Sequence, residues 1–164
     1  MLTGRAFKFG DNISTDQIIP GRFAHLRSNL PELAKHAMED AAPTFVARVK
    51  PGDFIVAGSN FGLGSSREHA PLVIKMAGVK AILARSVARI FFRNAINVGL
   101  PVLLCHTDNI NDGDELEVDL KAGTIRDITS GSQLTFSKIP EIMLHILDEG
   151  GLLPYLEKYG DFKL

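Results

Sequence analysis

A glycine-rich stretch over residues 58–70, with the sequence GSNFGLGSSREHA, constrains the fold of this chain more than any other segment. The apolar residues 53–57 before it predict a short buried strand, and residues 70–77 after it predict a helix. A strand, a tight turn and a helix start leave free backbone N–H groups and the positive end of a helix dipole facing the turn. The stretch therefore predicts an anion site.

The side chains of this turn indicate which anion it suits. Three glycines, Gly58, Gly62 and Gly64, let the backbone approach a ligand closely and adopt positive φ. Ser65 and Ser66 are good N-cap residues, and Arg67 adds a two-pronged cation for a carboxylate. The alternative is a plain connection in which the serines only cap a helix. A nucleotide loop is disfavoured, because the lysine of G-x-x-x-x-G-K-S/T is missing and no G-x-G-x-x-G follows the strand.

Composition narrows the class of protein. The 164 residues suit a single domain, predicted over 1–164, and the net charge of −1 argues against nucleic acid and acidic membranes as partners. No uncharged run reaches the roughly 18 residues of a membrane span. The single cysteine, Cys105, excludes a disulfide framework and a cysteine-ligated cluster held by this chain alone. Without a secretion signal at the N-terminus, a cytoplasmic location is expected.

Patterns along the rest of the chain predict a compact α/β or α+β domain. Strands are expected at residues 3–9, 44–49, 53–57, 80–84, 102–105, 115–120, 124–128 and 133–136. Helices are expected at residues 28–38 and 70–77, after a cap at Ser86, from Pro140 to about 150, and at 152–159. Two strand–helix–strand units plus antiparallel hairpins result. A Rossmann-type layout fits poorly, because too many late strands lack helices between them.

A row of arginines marks the helix after Ser86. Arg85, Arg89 and Arg93 recur every four residues, whereas Ile90 and Phe91 are expected to face inward. Such a row is typical of a solvated surface. A partner surface or the edge of an anion site are the alternatives.

Three segments, in this order, resemble one family. Residues 11–20 (DNISTDQIIP), 58–70 and 88–101 (ARIFFRNAINVGLP) resemble the small subunit of 3-isopropylmalate dehydratase, the swivelling domain of the aconitase superfamily made as a separate chain. The resemblance spans nearly the whole length, and the GSSREHA match is highly specific. It implies a single swivelling domain with mixed, barrel-like sheet layers (β/β/α) and flanking helices.

The resemblance implies an enzyme subunit. Family members interconvert 2-isopropylmalate and 3-isopropylmalate, a hydro-lyase reaction of leucine biosynthesis, by eliminating water and adding it back. A 4Fe-4S cluster carried by the large subunit acts as Lewis acid, which agrees with a lone cysteine here. The expected partners are this large subunit and a small carboxylic-acid substrate, and no metal is expected on this chain alone.

Residue roles follow from the same resemblance. Ser65 is the base that takes the proton next to a carboxylate, Arg67 binds a substrate carboxylate, and Ser66 supplies its N–H or hydroxyl to the same pocket. Backbone donors and the guanidinium are expected to stabilise a serine alkoxide where it forms. Asp11 matches the family's acidic residue, thought to hold a histidine or a substrate-side network across the subunit boundary. A plain turn carboxylate is the alternative for Asp11 and for Asp16.

The loop over residues 25–28 is expected, by resemblance, to meet the part of the substrate that varies. An isopropyl group needs an apolar wall such as Leu26, whereas a further carboxylate needs a cation such as Arg27. Arg27 departs from the apolar loop of strict isopropylmalate enzymes and looks more like the homoaconitase or relaxed-specificity type. A methylmalate-type dehydratase stays open, as does an Arg27 that holds a carboxylate common to all these substrates. His69 is expected to be buried and structural.

Two hypotheses of other classes compete with an enzyme subunit. One is a free-standing anion-binding module that uses the same turn. The other is a regulatory or structural subunit that caps a larger enzyme without donating catalytic groups. The presence of both Ser65 and Arg67 in one turn favours the enzyme subunit, because a mere cap would not need both.

Overall fold

The computed structural model describes residues 1–162, so the last two residues of the predicted domain 1–164 lie outside the described part. The strands are β1 (Leu2–Lys8), β2 (Phe54–Ala57), β3 (Ala81–Ala84), β4 (Val102–Leu104), β5 (Glu115–Asp119), β6 (Thr124–Asp127) and β7 (Gln133–Thr135). The helices are α1 (Thr15–Ile18), α2 (Leu30–Ala34), α3 (Phe45–Arg48), α4 (His69–Met76), α5 (Arg89–Asn97), α6 (Glu141–Asp148) and α7 (Leu152–Tyr159), with a 3-10 helix at Gly21–Leu26.

All seven strands form one mixed sheet in the order β4-β3-β2-β1-β5-β6-β7. The neighbouring strands β1, β2, β3 and β4 pair in parallel. On the other side of β1, the pairs β1–β5, β5–β6 and β6–β7 are antiparallel. Strand β1 therefore joins a helix-connected half to a hairpin half. This arrangement, with its flanking helices, confirms the predicted α/β class with mixed sheet layers.

The parallel half is buried on both faces. Every residue of β2 and β3 is buried, as expected when helices and a second layer cover the two sides. Alternation along the strands sends Ile55 and Ile82 into a core shared with the helices, and Val56 and Leu83 into a core shared with the hairpins. The carboxyl ends of β1 and β2 thus lie on a rigid platform, and the polar segments 11–16 and 58–68 follow directly from them.

One predicted element near the N-terminus is wrong, and another is shorter than predicted. Residues 44–49, predicted as a strand, contain the helical turn α3 instead. A six-residue stretch is too short for periodicity to separate one helical turn from a strand. Tertiary packing decides here, because Phe45 is 1% exposed and its ring packs edge-on against Phe7 at 5.2 Å. The helix predicted over 28–38 ends as an α-helix at Ala34.

The start and the phase of α5 also differ from the prediction, since its N-cap residue is Ala88 and not Ser86. Ile90, expected to face inward, is 53% exposed, because α5 begins at Arg89 and turns Phe91, Ala95 and Ile96 toward the core.

No helix within residues 1–162 is long and apolar enough to cross a membrane.

Candidate active site

The glycine-rich turn is held in place by the first polar segment of the chain. The Gly62 N–H donates to the Ile13 carbonyl at 2.7 Å, and the Thr15 N–H donates to the Leu63 carbonyl at 2.9 Å. The Thr15 hydroxyl donates to the Ser65 carbonyl at 2.8 Å. These bonds join two segments about 50 residues apart. The turn therefore has a fixed backbone before any ligand arrives.

Two of the three glycines predicted to have positive φ do have it, whereas Gly58 does not. Gly62 has φ of +80°, and a Cβ atom there would lie 2.4 Å from Cγ of Phe91. Gly64 has φ of +103°, and a Cβ atom there would lie 3.4 Å from the Thr15 hydroxyl. Gly62 is thus required by conformation and by space, whereas Gly64 is required mainly by conformation.

The serines of the turn do not cap a helix, so that part of the prediction is wrong. Helix α4 begins only at His69, and its N-cap residue, Glu68, makes no side-chain capping bond. Ser65 and Ser66 are exposed, and within residues 1–162 their hydroxyls have no hydrogen-bond partner. The backbone N–H groups from Gly64 to Arg67 likewise find no acceptor in the described part of the chain. Both serines are free to meet a ligand.

The turn lines an open cleft of about 460 Å³. Its lining residues come from the turn, the 3-10 helix region, α4 and α5: Ile19, Ala24, Arg27, Ser65, Ser66, Arg67, Glu68, His69 and Asn94. A second depression of about 220 Å³ lies between the turn and the start of α5, and Ser65, Ser66, Arg67 and Asn94 line it too. The predicted base, its neighbour and the predicted carboxylate ligand therefore meet at one concave surface.

Arg67 is oriented by two bonds to the first polar segment. Its Nη1 donates to the Ile19 carbonyl at 3.0 Å, and its Nη2 donates to Asp16 Oδ1 at 3.2 Å. A guanidinium has five N–H donors, so three stay available for a ligand. The side chain is 29% exposed, which is enough to contact a carboxylate in the cleft.

The loop predicted to read the substrate contributes one of its two candidate residues to the cleft. Arg27 lines it, and its Nε donates to the Ala24 carbonyl at 3.1 Å. Leu26 is half-buried and packs against the core shared with the helices. The loop is anchored by Phe23, whose ring stacks on His36 at 3.8 Å. A cation rather than an apolar wall therefore faces the cleft from this loop.

Asp11 lies beside the turn rather than among the residues that line the cleft. Its Oδ1 accepts a hydrogen bond from the Ser59 N–H at 2.7 Å, directly after β2. A Cβ atom on Gly58 would lie 1.8 Å from this oxygen, so the contact is close. This bond joins Asp11 to a segment 48 residues away and does not close the turn of Asp11 itself, so it does not match a plain turn carboxylate. A role across a subunit boundary stays a prediction.

Two residues of the cleft differ from the sequence expectation. His69, predicted to be buried, is half-buried and lines the cleft, because it is the first residue of α4. Asn94 lines both depressions and was missed. It lies within residues 88–101, the third segment that resembles the family, but a single amide side chain did not indicate a functional role.

The three arginines of the row have different surroundings. Arg85 pairs with Asp108 at 3.3 Å on the surface. Arg89 and Arg93 are exposed, and Arg89 lines the second depression. For Arg89, a role at the edge of an anion site therefore stays a prediction.

The described residues do not form a site for an iron–sulfur cluster. Cluster ligation takes several thiolates, and burial raises the pKa of the sole cysteine, Cys105, to about 11. Within residues 1–162, no three His, Cys, Asp or Glu side chains group as metal ligands.

Comparisons with known proteins identify the family. The model of the aconitase C-terminal domain matches residues 25–106. The 3-isopropylmalate dehydratase small subunit 2 of Archaeoglobus fulgidus is 64% identical over 163 residues, which cover 99% of each chain. The chain belongs to the 3-isopropylmalate dehydratase small-subunit family.

Other members of this small-subunit family have related names. The methanogen homoaconitase small subunit of Methanothermobacter thermautotrophicus is 52% identical over 161 residues, covering 98% of this chain and 94% of its own. The crystal structure of 3-isopropylmalate dehydratase from Methanocaldococcus jannaschii has a TM-score of 0.92 and 47% identity, covering 97% of this chain and 95% of that one. The small-subunit fold therefore extends over nearly the full length.

Proposed function

We propose that this chain is the small subunit of a heteromeric hydro-lyase that interconverts 2-isopropylmalate and 3-isopropylmalate by dehydration and rehydration. One observation carries the proposal. The Ser65 hydroxyl, unpaired backbone N–H groups and the Arg67 guanidinium meet at one open cleft. The 64% identical relative that bears the dehydratase small-subunit name supports the same reaction. A cytoplasmic location stays a prediction.

Each group of the cleft has a distinct task in this proposal. Arg67 binds one substrate carboxylate through the donors that Asp16 and Ile19 leave available. Ser65 Oγ takes the proton from the carbon next to that carboxylate and returns it in the hydration step. The N–H groups of the turn stabilise the alkoxide form of Ser65, and each preorganised donor of this kind contributes about 3–4 kcal/mol in other enzymes.

The remaining chemistry is assigned to a partner subunit. We propose that a large subunit carries a 4Fe-4S cluster, since the described residues offer no ligand set for it. The cluster would supply the Lewis acid that activates the substrate hydroxyl. The cleft is open on one side, which leaves room for a second polypeptide to close it over the substrate.

A second candidate substrate class is favoured by Arg27. This cation lines the cleft, whereas Leu26 is half-buried and packs against the core. A substrate with an additional carboxylate, as in a homoaconitase-type reaction, would bind such a guanidinium through charge-assisted hydrogen bonds. The relative named as a homoaconitase small subunit is consistent with this alternative.

The proposal is tested by reconstitution with the cluster-bearing large subunit. The wild-type pair should convert isopropylmalate, and parallel assays with homoaconitate and citraconate rank the alternatives. Ser65→Ala should still assemble and should lose turnover by about 100-fold or more, the contribution of a general base. Ser132→Ala, which removes an exposed hydroxyl between β6 and β7, is the matched control and should be neutral.

Three results would contradict the proposal. If the wild-type pair does not turn over any of these substrates, the anion-binding module becomes the better interpretation. That interpretation predicts that the isolated chain binds its ligand without the large subunit. Full activity of the large subunit alone would indicate a regulatory or structural role. Near-normal kcat in Ser65→Ala would remove this serine from the mechanism.

A further inference from the structure

Asp16 contacts the cleft arginine without being one of the predicted substrate ligands. Its Oδ1 atom accepts a hydrogen bond from Arg67 Nη2 at 3.2 Å and another from the Gly21 N–H at 3.2 Å. The Ile19 carbonyl accepts from Arg67 Nη1 at 3.0 Å. Residues 16–21 therefore hold the guanidinium at two points. The Gly21 bond also ties Asp16 to the start of the 3-10 helix Gly21–Leu26, which leads directly into Arg27.

The backbone under Asp16 is fixed by its neighbours. The Ser14 hydroxyl accepts from the Gln17 N–H at 3.2 Å, and Gln17 Oε1 accepts from the Ser14 N–H at 2.9 Å, which forms a capping box around α1. Thr15 and Ile18 are buried at 3% and 0% exposure. Such a short helix depends on this packing and capping, and together they give the Asp16 carboxylate a defined position.

The ion pair itself contributes little to folding stability. The Asp16 side chain is 65% exposed, and exposed ion pairs are screened by water and salt. Its effect is geometric. A free arginine side chain loses rotamer freedom when a ligand orders it, and ordering it beforehand lowers that cost of binding. The arrangement at Asp16 orders Arg67 while leaving three of its five donors for a ligand.

We infer that Asp16 is a positioning residue, which holds Arg67 in the orientation that binds the substrate carboxylate and couples this orientation to the loop of Arg27. The identity of the ligand rests on the proposed function. The opposite possibility is that the Asp16 carboxylate competes with the substrate for the guanidinium. If Asp16 positions Arg67, removing its carboxylate should raise KM. If Asp16 competes with the substrate, removing the carboxylate should lower KM.

Kinetics of the reconstituted complex separate these cases. Asp16→Ala should raise KM for isopropylmalate about tenfold and lower kcat/KM by up to about 100-fold, as expected when a binding group is displaced by about 1 Å. Asp16→Asn, which keeps the Oδ1 acceptor, should recover most of the loss. Asp108→Ala is the matched control, because Asp108 is 66% exposed, pairs with Arg85 at 3.3 Å and lines neither depression of the site. In an Arg67→Ala background, Asp16→Ala should have no further effect.

A KM in Asp16→Ala that equals or falls below the wild-type value would overturn the inference. A crystal structure of the Asp16→Ala chain gives a readout that does not depend on activity. The Arg67 guanidinium should leave the Ile19 carbonyl, and an unmoved guanidinium would also overturn the inference. If the wild-type pair does not turn over the substrate, the proposed function fails, and the crystal structure still decides whether Asp16 positions Arg67.

Discussion

Replacing Gly62 by alanine tests whether the shape of the turn is set by the helix behind it. Gly62 has φ of +80°, and an added Cβ would lie 2.4 Å from Cγ of Phe91. Phe91 is 3% exposed and packs edge-on against Phe61 at 5.3 Å, so its ring has little room to move. Gly131 offers a matched control, since it has the same φ of +80° and no atom within 4 Å of its added Cβ.

The expected cost follows from two contributions. A left-handed conformation costs a non-glycine residue about 1–2 kcal/mol, and both variants carry this cost. Overpacking a buried contact adds about 1–3 kcal/mol, and only Gly62→Ala carries this one. Gly131→Ala should therefore lower the free energy of unfolding by about 1 kcal/mol, once the reduced entropy of its unfolded chain is included. Gly62→Ala should lower it by about 3 kcal/mol.

Urea unfolding of the purified chain measures both values. With a slope of about 2 kcal/mol per molar urea, the two midpoints should differ by about 1 M. Equal midpoints for Gly62→Ala and Gly131→Ala would show that contact with Phe91 does not constrain the turn. That result would refute the argument that packing of α5 against Gly62 fixes the conformation of the turn.

Two further predictions concern specificity and pH. Arg27→Val should lower kcat/KM for homoaconitate by about 10-fold or more, the contribution of a charge-assisted hydrogen bond, and should affect isopropylmalate far less; equal losses would refute a specificity role. Burial, and then the neighbouring Asp114 carboxyl, raise the pKa of Asp127, whose buried Oδ2 has no donor in the described part of the chain. Its stabilising contribution is thus complete below the ordinary pKa of about 4 and is lost as pH rises through the raised pKa. Asp127→Asn should therefore gain stability relative to wild type in urea unfolding as the pH rises above about 4, and a difference that does not change with pH would contradict this.

Local sequence signals predicted the parts of the site that depend on neighbouring residues. The apolar run before Gly58 and the glycines after it predicted a buried strand and a turn with positive φ, and both are observed. These features follow from backbone conformation and burial, which a few adjacent residues determine. The placement of Ser65 and Arg67 at one concave surface was also within reach, because they are two residues apart in this turn.

The missed features depend on contacts between distant segments. Asp16 and Arg67 are 51 residues apart in the chain, and nothing in either segment shows that they pair. Asn94 reaches the cleft only because α5 packs beside the turn. The Ser65 carbonyl accepts a hydrogen bond from the Thr15 hydroxyl, 50 residues away, and α4 begins only at His69. The N-cap preference of serine was therefore overridden by tertiary structure.

The central claim is that the Ser65 hydroxyl, held in a turn of backbone donors, acts as a base on a carboxylated substrate. Exchange of the substrate's abstracted hydrogen with heavy water, catalysed by the reconstituted complex and followed by NMR, measures this step directly. Ser65→Ala should slow the exchange by about 100-fold or more while the Kd for the substrate changes little. Exchange at the wild-type rate in Ser65→Ala would contradict the claim.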